Sequence, residues 1–380
     1  MAWNWQQDDW PQFRWDVRRL VRAEALFAEG AGVVIGASRH LDSDQQRGLT
    51  VELMSDEAVD TSAIEGEVLD RDSVQSSIRR QLGFASDHRR VKPEEAGVAA
   101  LMIDIYQEVT APLTDHVLHR WHRMIMNGRT DLRTIGAYRT HDEPMQIVSG
   151  PVHAPKVHFE APASTRLPAE MAAYWKWLDV SGPKCDAPAA PVSRAGVAHI
   201  WFESIHPYED GNGRLGRAIS EKVLAQGFPT PAVTGMASTL LRHRKAYYAQ
   251  LERAHSDLDV TDWLLWFAAK AIEAQRRTLQ KLEFVLEKSR LMDRLRGRLN
   301  PRQEKALLRL FAAGPDGFAG GLSAANYMSI TGASSATTTR DLTALVAMSA
   351  LTRTGGHRST RYRLNIEIEP LRSVEVSDIL

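Results

Sequence analysis

The stretch His206-Pro207-Tyr208-Glu209-Asp210-Gly211-Asn212-Gly213-Arg214-Leu215-Gly216-Arg217 decides how this chain reads, because it gathers a titratable base, two acids, three glycines and two arginines. An apolar-rich segment, 195–205, precedes it, and Leu215, Ala218, Ile219, Val223 and Leu224 follow at helical spacing, so it joins two helices. A residue before proline is pushed out of the helical region, which predicts that the first helix ends at His206 and presents the imidazole at the junction. The second helix is predicted to begin near Gly211, with unpaired N–H groups and a positive dipole end facing the loop. That is the chemistry of an anion site. Gly211 and Gly213 let phosphate oxygens approach the backbone, Arg214 and Arg217 add two guanidinium forks, and Asp210 offers an oxygen ligand suited to magnesium.

Around this stretch lies a chain of 380 residues, 43% hydrophobic, whose 47 basic residues balance 47 acidic ones. It is long enough to bury a sizeable core in two or three structural units. Zero formal charge excludes a global polyelectrolyte attraction to nucleic acid or membrane, while leaving room for local asymmetry. Cys185 is the only cysteine, which rules out an intramolecular disulfide and fits a reducing compartment. The start of the chain has no basic and apolar leader pattern, and no run reaches membrane-spanning length, so the expectation is a cytoplasmic protein with no membrane partner.

Working outward, the N-terminal region carries Trp3, Trp5, Trp10, Phe13 and Trp15 before a helical run over 17–29, an aromatic density that predicts docking onto the body of the protein. Residues 44–83 are helical in pattern and contain Thr61-Ser62-Ala63-Ile64-Glu65-Gly66. Read on its own, this is a helix end with Gly66 as the cap and with Glu65 and Glu67 solvated. Helices are expected over 94–109 and 114–127. The second holds His116, His119 and His122, but position 122 lies about 240° around the helix from 116, so the three cannot converge on one metal from a regular helix. From 136 to 162 the chain turns extended, and two short β segments around Gly150-Pro151 read as a hairpin that caps a core or pairs with an incoming extended peptide. Helix resumes over 168–178, Tyr247 and Tyr248 sit in a helical setting, and a long helix runs from Thr261 to about 298.

Beyond Asn300 the pattern is three helices, 304–312, 323–329 and 335–348, followed by a basic ribbon at 351–364. This suggests a winged helix-turn-helix. It holds an excess of basic over acidic residues, so DNA is one expected partner and a protein docked on the same basic edge is the other. The expected boundaries are 1–95 for the Trp-rich N-terminal region, 96–298 for a helical core and 299–380 for the winged helix.

Several chemistries fit the central motif superficially. Gly211-x-Gly213-x-x-Gly216 matches a dinucleotide fingerprint, but that fingerprint follows a strand, whereas here a helix precedes it. No Walker loop is present, and Ser204 and His206 are spaced to point apart at a helix end. The full stretch resembles the signature of the Fic family, His-x-Phe-x-(Asp/Glu)-Gly-Asn-Gly-Arg-x-x-Arg, with Tyr208 in place of the usual Phe. The helix containing His199 and Phe202, the segment from Gly136 to Arg139 with the hairpin, and Tyr247-Tyr248 are similar to that family's pre-motif helix, flap and nucleotide-side tyrosines.

The resemblance implies a mainly α fold with a Fic-like helical core, a β-hairpin flap and an appended winged helix. It implies transfer of AMP from ATP to a Ser, Thr or Tyr hydroxyl of a target protein or of the chain itself. His206 would act as general base, Asp210 would hold Mg²⁺, Gly211, Asn212 and Gly213 would cradle phosphates, and Arg214 and Arg217 would bind the leaving pyrophosphate portion. Thr61-x-x-x-Glu65-Gly66 also resembles the family's inhibitory motif, so Glu65 would pair with Arg217 and disturb the γ-phosphate. Holding the site closed 99 to 1 takes only roughly 2.7 kcal/mol. Removal of AMP by the same site, and a DNA-binding regulator with a nucleotide-sensing core, are the alternative readings. Homodimers are common in the family.

Overall fold

The computed structural model describes residues 2–85, 89–150, 155–227, 233–315, 317–318 and 320–380. The chain forms two compact units, one of Met1–Ile35, Thr50–Thr278 and Arg372–Leu380, the other of Gly36–Leu49 and Leu279–Leu371. Its helices begin with α1 (Val17–Ser38), α2 (Ser43–Ile64), α3 (Arg71–Gln81), α4 (Pro93–Gln107) and α5 (Asp115–Ile125). The hairpin β1 (Gln146–Ser149) and β2 (Lys156–Glu160) follows, then α6 (Leu167–Val180), α7 (Pro191–Ile205), α8 (Asn212–Gln226), α9 (Met236–Arg242), α10 (Arg244–Ala254) and α11 (Thr261–Arg294). The fold is mainly α, as the sequence reading expects. Among the described residues no helix is long and apolar enough to cross a membrane.

In the first unit α7 is the central rod. Every residue from Val192 to Ile205 is buried, which is why the helix lacks a polar stripe. Pro191 opens it at the position where a missing N–H costs nothing. Trp263 of α11 donates its indole N–H to the Gly196 carbonyl at 2.8 Å. Each large apolar side chain buried on or against this rod, such as its own Phe202 or Leu264 of α11, contributes roughly 1.5–3 kcal/mol. The helical pattern over 44–83 resolves into α2 and α3, broken at Gly66, whose φ of +89° is cheap for glycine alone.

The N-terminal tryptophans dock as expected, though only half-buried. Trp3 packs edge-on against Phe159 at 5.4 Å, and the Trp5 indole donates to the Glu160 carbonyl at 2.6 Å. Asn4, fully buried between them, donates to Ser204 Oγ at 2.8 Å. The chain's first turn therefore ties the flap to the last turn of α7. In the antiparallel hairpin Ile147 pairs with Phe159, and after a register shift Val148 pairs with Val157. Phe159 is buried while all of β1 is exposed. The connecting residues 151–154, including Pro151 of the expected turn, lie outside the described residues.

The second unit has its own apolar core, in which Leu307, Leu310, Tyr327, Leu342, Leu345 and Leu351 gather with Phe284 and Leu291 of α11. It contains α12 (Pro301–Phe311), α13 (Ala324–Thr331) and α14 (Ser335–Ala347), then the antiparallel ribbon of β3 (Leu351–Thr354) and β4 (Arg361–Leu364). Three helices and a ribbon occur in the order read from the sequence. Asn300 caps α12 by accepting from the Arg302 and Gln303 amides at 3.0 Å, as its place before Pro301 requires.

Candidate functional site

His206 is the left-handed cap of α7, with φ 49° and ψ 60°. The helix ends where the following proline predicts, but the residue adopts the left-handed rather than the extended conformation. Its amide still donates to the Phe202 carbonyl at 3.0 Å, as the last backbone hydrogen bond of the helix. Arg139 fixes the turn from the flap side: its Nε donates to the His206 carbonyl and its amide to the Pro207 carbonyl, each at 3.0 Å.

The loop that follows closes on itself. Asn212 accepts from the Tyr208 amide at 3.0 Å and donates to the Tyr208 carbonyl at 2.8 Å, while Asp210 accepts from the Gly211 amide at 2.6 Å. Tyr208 is fully buried, stacked on His122 at 4.1 Å with its hydroxyl 2.7 Å from His119 Nδ1. The Gly136 amide donates to His122 Nδ1 at 2.8 Å, which leaves Nε2 to donate to the Asp210 carbonyl at 3.2 Å. Burial pushes the His122 pKa down to about 4, consistent with that neutral tautomer. Both histidines thus converge on the loop.

The N-terminus of α8 opens into a cavity of about 700 Å³ beneath the hairpin. Its lining includes His206, Asp210, Gly211, Asn212, Gly213, Arg217, Glu65, Tyr247 and Tyr248, nearly all of the residues singled out from the sequence. Arg214 is buried at the same helix start but is set back from that lining. Gly211 caps α8 with φ +82°, and a Cβ on Gly213 would stand 2.3 Å from Glu65 Oε1, so the glycine leaves open the space that the glutamate fills.

Glu65, immediately after α2, meets Arg217 at 2.7 Å. Arg217 also donates to the Thr61 hydroxyl at 2.8 Å and the Thr61 carbonyl at 2.9 Å. A second carboxylate occupies the other fork: Glu67 accepts from Arg214 Nη1 at 2.6 Å. Both acids stay partly exposed, but each also meets an arginine, because the chain leaves α2 directly across the start of α8. Tyr248 turns its hydroxyl to the Ile64 carbonyl at 3.2 Å and Glu65 at 3.4 Å, whereas the buried Tyr247 gives its hydroxyl to His199 at 2.8 Å. Ser204 is engaged with the Ile200 carbonyl and Asn4 rather than with His206.

Burial, reinforced by the Arg139 charge, pushes the His206 pKa down to about 4, so its imidazole is neutral at neutral pH. Three residues beside it were not signalled by the motif. Glu203 lies one helical turn before His206, with Oε2 3.9 Å from His206 Nδ1, and burial lifts its pKa to about 8. His255 lines the same cavity and stacks on Phe159 at 3.9 Å, its pKa driven down to about 3 by burial. Arg139 is the third. Only its neighbourhood in the flap was legible.

Asp210 directs one carboxylate oxygen to Arg129 at 2.8 Å and borders the cavity. Among the described residues no cluster of three or more metal-ligating side chains occurs. A single carboxylate beside an anion site fits magnesium, which is usually held by one or two carboxylates together with substrate phosphates and water.

Residues 112–224 match the Fic/DOC family model. The chain carries a Fic domain. Residues 3–84, which include the Trp-rich segment and α2, match a family described as a domain of unknown function, DUF4172. A probable protein adenylyltransferase from Aquifex aeolicus is 33% identical over 63 residues, 17% of this chain. The match spans only 18% of that relative's length. The crystal structure of a Fic family protein from Desulfovibrio desulfuricans G20 superposes over 92% of this chain and 97% of that one, with TM-score 0.51 and 22% identity, a likeness of fold. A Fic domain containing signaling protein from Bacteroides thetaiotaomicron aligns with 70% of this chain and 97% of that one at TM-score 0.49 and 18% identity.

Proposed function

We propose that the protein is an adenylyltransferase that moves AMP from ATP onto a Ser, Thr or Tyr hydroxyl of a target protein or of itself, and that Glu65 and Glu67 hold it inactive. The observation that carries this reading is the convergence of a neutral His206, the open N-terminus of α8 and Arg217 on one cavity under an exposed strand. A triphosphate matches the first turn of α8 and its two arginines. The exposed edge of β1 suits an extended target segment, which would bring its hydroxyl toward His206.

In the transfer, the hydroxyl oxygen bonds to the α-phosphorus as the bond to the bridging oxygen of the β-phosphate breaks. Pyrophosphate leaves. His206 takes the hydroxyl proton, which its depressed pKa allows at neutral pH. The Gly211–Gly213 amides, Arg214 and Arg217 orient the phosphates and offset their charge. Magnesium held by Asp210 and the phosphates would supply further charge neutralisation at the leaving group. Arg139 and Asn212 hold the base and the amides still by bonding the loop they sit on. In the resting chain both guanidinium groups face carboxylates, so ATP phosphates must compete with Glu65 and Glu67 for them.

Incubation with ATP labelled at the α-phosphate tests the reading. Glu65→Gly protein is expected to label itself, and Glu65→Gly/His206→Ala protein is not. Labelling that survives loss of His206 removes it as the base, and the absence of labelling in every variant and lysate tried contradicts adenylyl transfer.

A further inference from the structure

We propose that the ribbon β3–β4, with the outward face of α14, is a surface for duplex DNA. The observation is a segregation of charge inside the second unit. Residues 317–366 contain five arginines and a single acid, Asp341. That acid is buried and occupied: it accepts from Asn300 Nδ2 at 3.0 Å, from Arg302 Nε at 2.9 Å and from the Tyr327 hydroxyl at 3.0 Å. Arg340, Arg353 and Arg363 are all exposed, with no acidic side chain in their own segment to offset them in solvent. In a chain of zero formal charge, this is a local basic surface rather than a reflection of composition.

The register arranges the charge. Leu351 pairs with Leu364, Thr352 with Arg363 and Arg353 with Tyr362. Successive residues of a strand point to opposite faces, so Arg353 and Arg363 leave opposite faces of the ribbon. Guanidinium groups on both sides of a thin ribbon suit a site between two phosphate backbones, where each neutralised phosphate releases a counterion. On α14 the residues turned to solvent include Ser335, Thr339, Arg340 and Thr343, while Thr338, Asp341, Leu342 and Leu345 face the core. This leaves hydroxyl groups and one arginine for a groove that admits a helix.

A protein partner fits the surface less well. Hot spots of protein interfaces are enriched in Trp, Tyr and Arg, with the aromatic anchors filling well-packed, desolvated pockets. Among the described residues of 317–366, no large hydrophobic side chain is exposed. The surface offers charge and hydroxyl groups without an apolar anchor.

Fluorescence anisotropy of the full chain with a labelled, mixed-sequence duplex tests the proposal without using ATP, so its outcome is separate from that of adenylyl transfer. With the three arginines on phosphates, log affinity against log salt has a slope of about −3, an affinity loss of roughly fortyfold between about 50 and about 200 mM salt. Arg353→Ala/Arg363→Ala lowers the magnitude of that slope by about 2. The Lys/Lys version at the same positions restores it. The melting temperature should stay unchanged in both, because the positions are exposed. The proposal is overturned if the wild-type chain does not bind the duplex at the lower salt, or if it binds with a slope that the alanine pair leaves untouched.

Discussion

The loop that carries His206 and the turn that faces it across the start of α8 are held in different ways. The loop is braced from within and from behind: Asn212 bonds both polar backbone atoms of Tyr208, Asp210 bonds the Gly211 amide, and His122 and Arg139 support its carbonyls. The turn at 61–67 spends its polar side chains outward, with Thr61 and Glu65 on Arg217 and Glu67 on Arg214. One is a scaffold, braced by hydrogen bonds of its own and of its neighbours behind it. The other meets Arg214 and Arg217 mainly through side chains, which is the arrangement expected of the proposed latch, and this asymmetry can be tested at specific positions.

The largest effect is expected on the scaffold side. In a Glu65→Gly background, His206→Ala should lower self-labelling by about 10²–10⁴-fold, the usual contribution of a general base. A residual rate close to the parent would mean that the hydroxyl loses its proton elsewhere. On the latch side, Glu65→Gly alone should raise labelling by up to about 100-fold if the closed state is favoured 99 to 1. Glu67→Gln is expected to act more weakly, about two- to fivefold, since Glu65 and Arg217 line the cavity whereas Glu67 and Arg214 do not, and a partly solvated ion pair contributes little. Its effect should appear mainly in the KM for ATP. An increase as large as that of Glu65→Gly would make the Arg214 contact as controlling as that of Arg217.

The smallest expected effect is an absence of pH dependence. An ordinary histidine base would lose half its activity near 6.5, but the His206 pKa is lowered to about 4, so the base stays unprotonated until the pH falls through that value. Initial rates of the Glu65→Gly protein should therefore be flat from about pH 6 to about pH 7.5 on the acid side of the profile. A midpoint near 6.5 would place the base in a more solvated setting than the structure gives it.

How much of this was legible in the sequence follows from how far each contact reaches along the chain. The junction of α7 and α8 was readable because its chemistry is local: Pro207 stops one helix, the glycines start the next, and Arg214 and Arg217 are spaced by that helix. Glu65 became readable only through the resemblance of 61–66 to a known inhibitory motif. Glu67 was not, because its partner lies 147 residues away and an isolated acid after a helix end usually faces water. Glu203 gave no signal either, since a helix buried on every side has no apolar stripe against which a polar residue stands out. His255, just beyond α10, meets the cavity wall through Phe159, a partner far away along the chain. The docking of the N-terminal tryptophans was predictable from their size, but not its location, where Asn4 and Trp5 bind α7 and the flap together. The ribbon of the second unit was legible as a charged hairpin. That its segment's only acid would be buried against Arg302 and Tyr327 required the fold.

The central claim is that a complete site is kept idle by carboxylates on its phosphate-binding arginines. It is tested most directly by comparing initial self-labelling rates of wild-type and Glu65→Gly protein at saturating ATP labelled at the α-phosphate. A wild-type rate near background with a Glu65→Gly rate raised by one to two orders of magnitude is the predicted result. Equal rates in the two proteins would contradict it, because the Glu65–Arg217 contact would then have no hold on the chemistry.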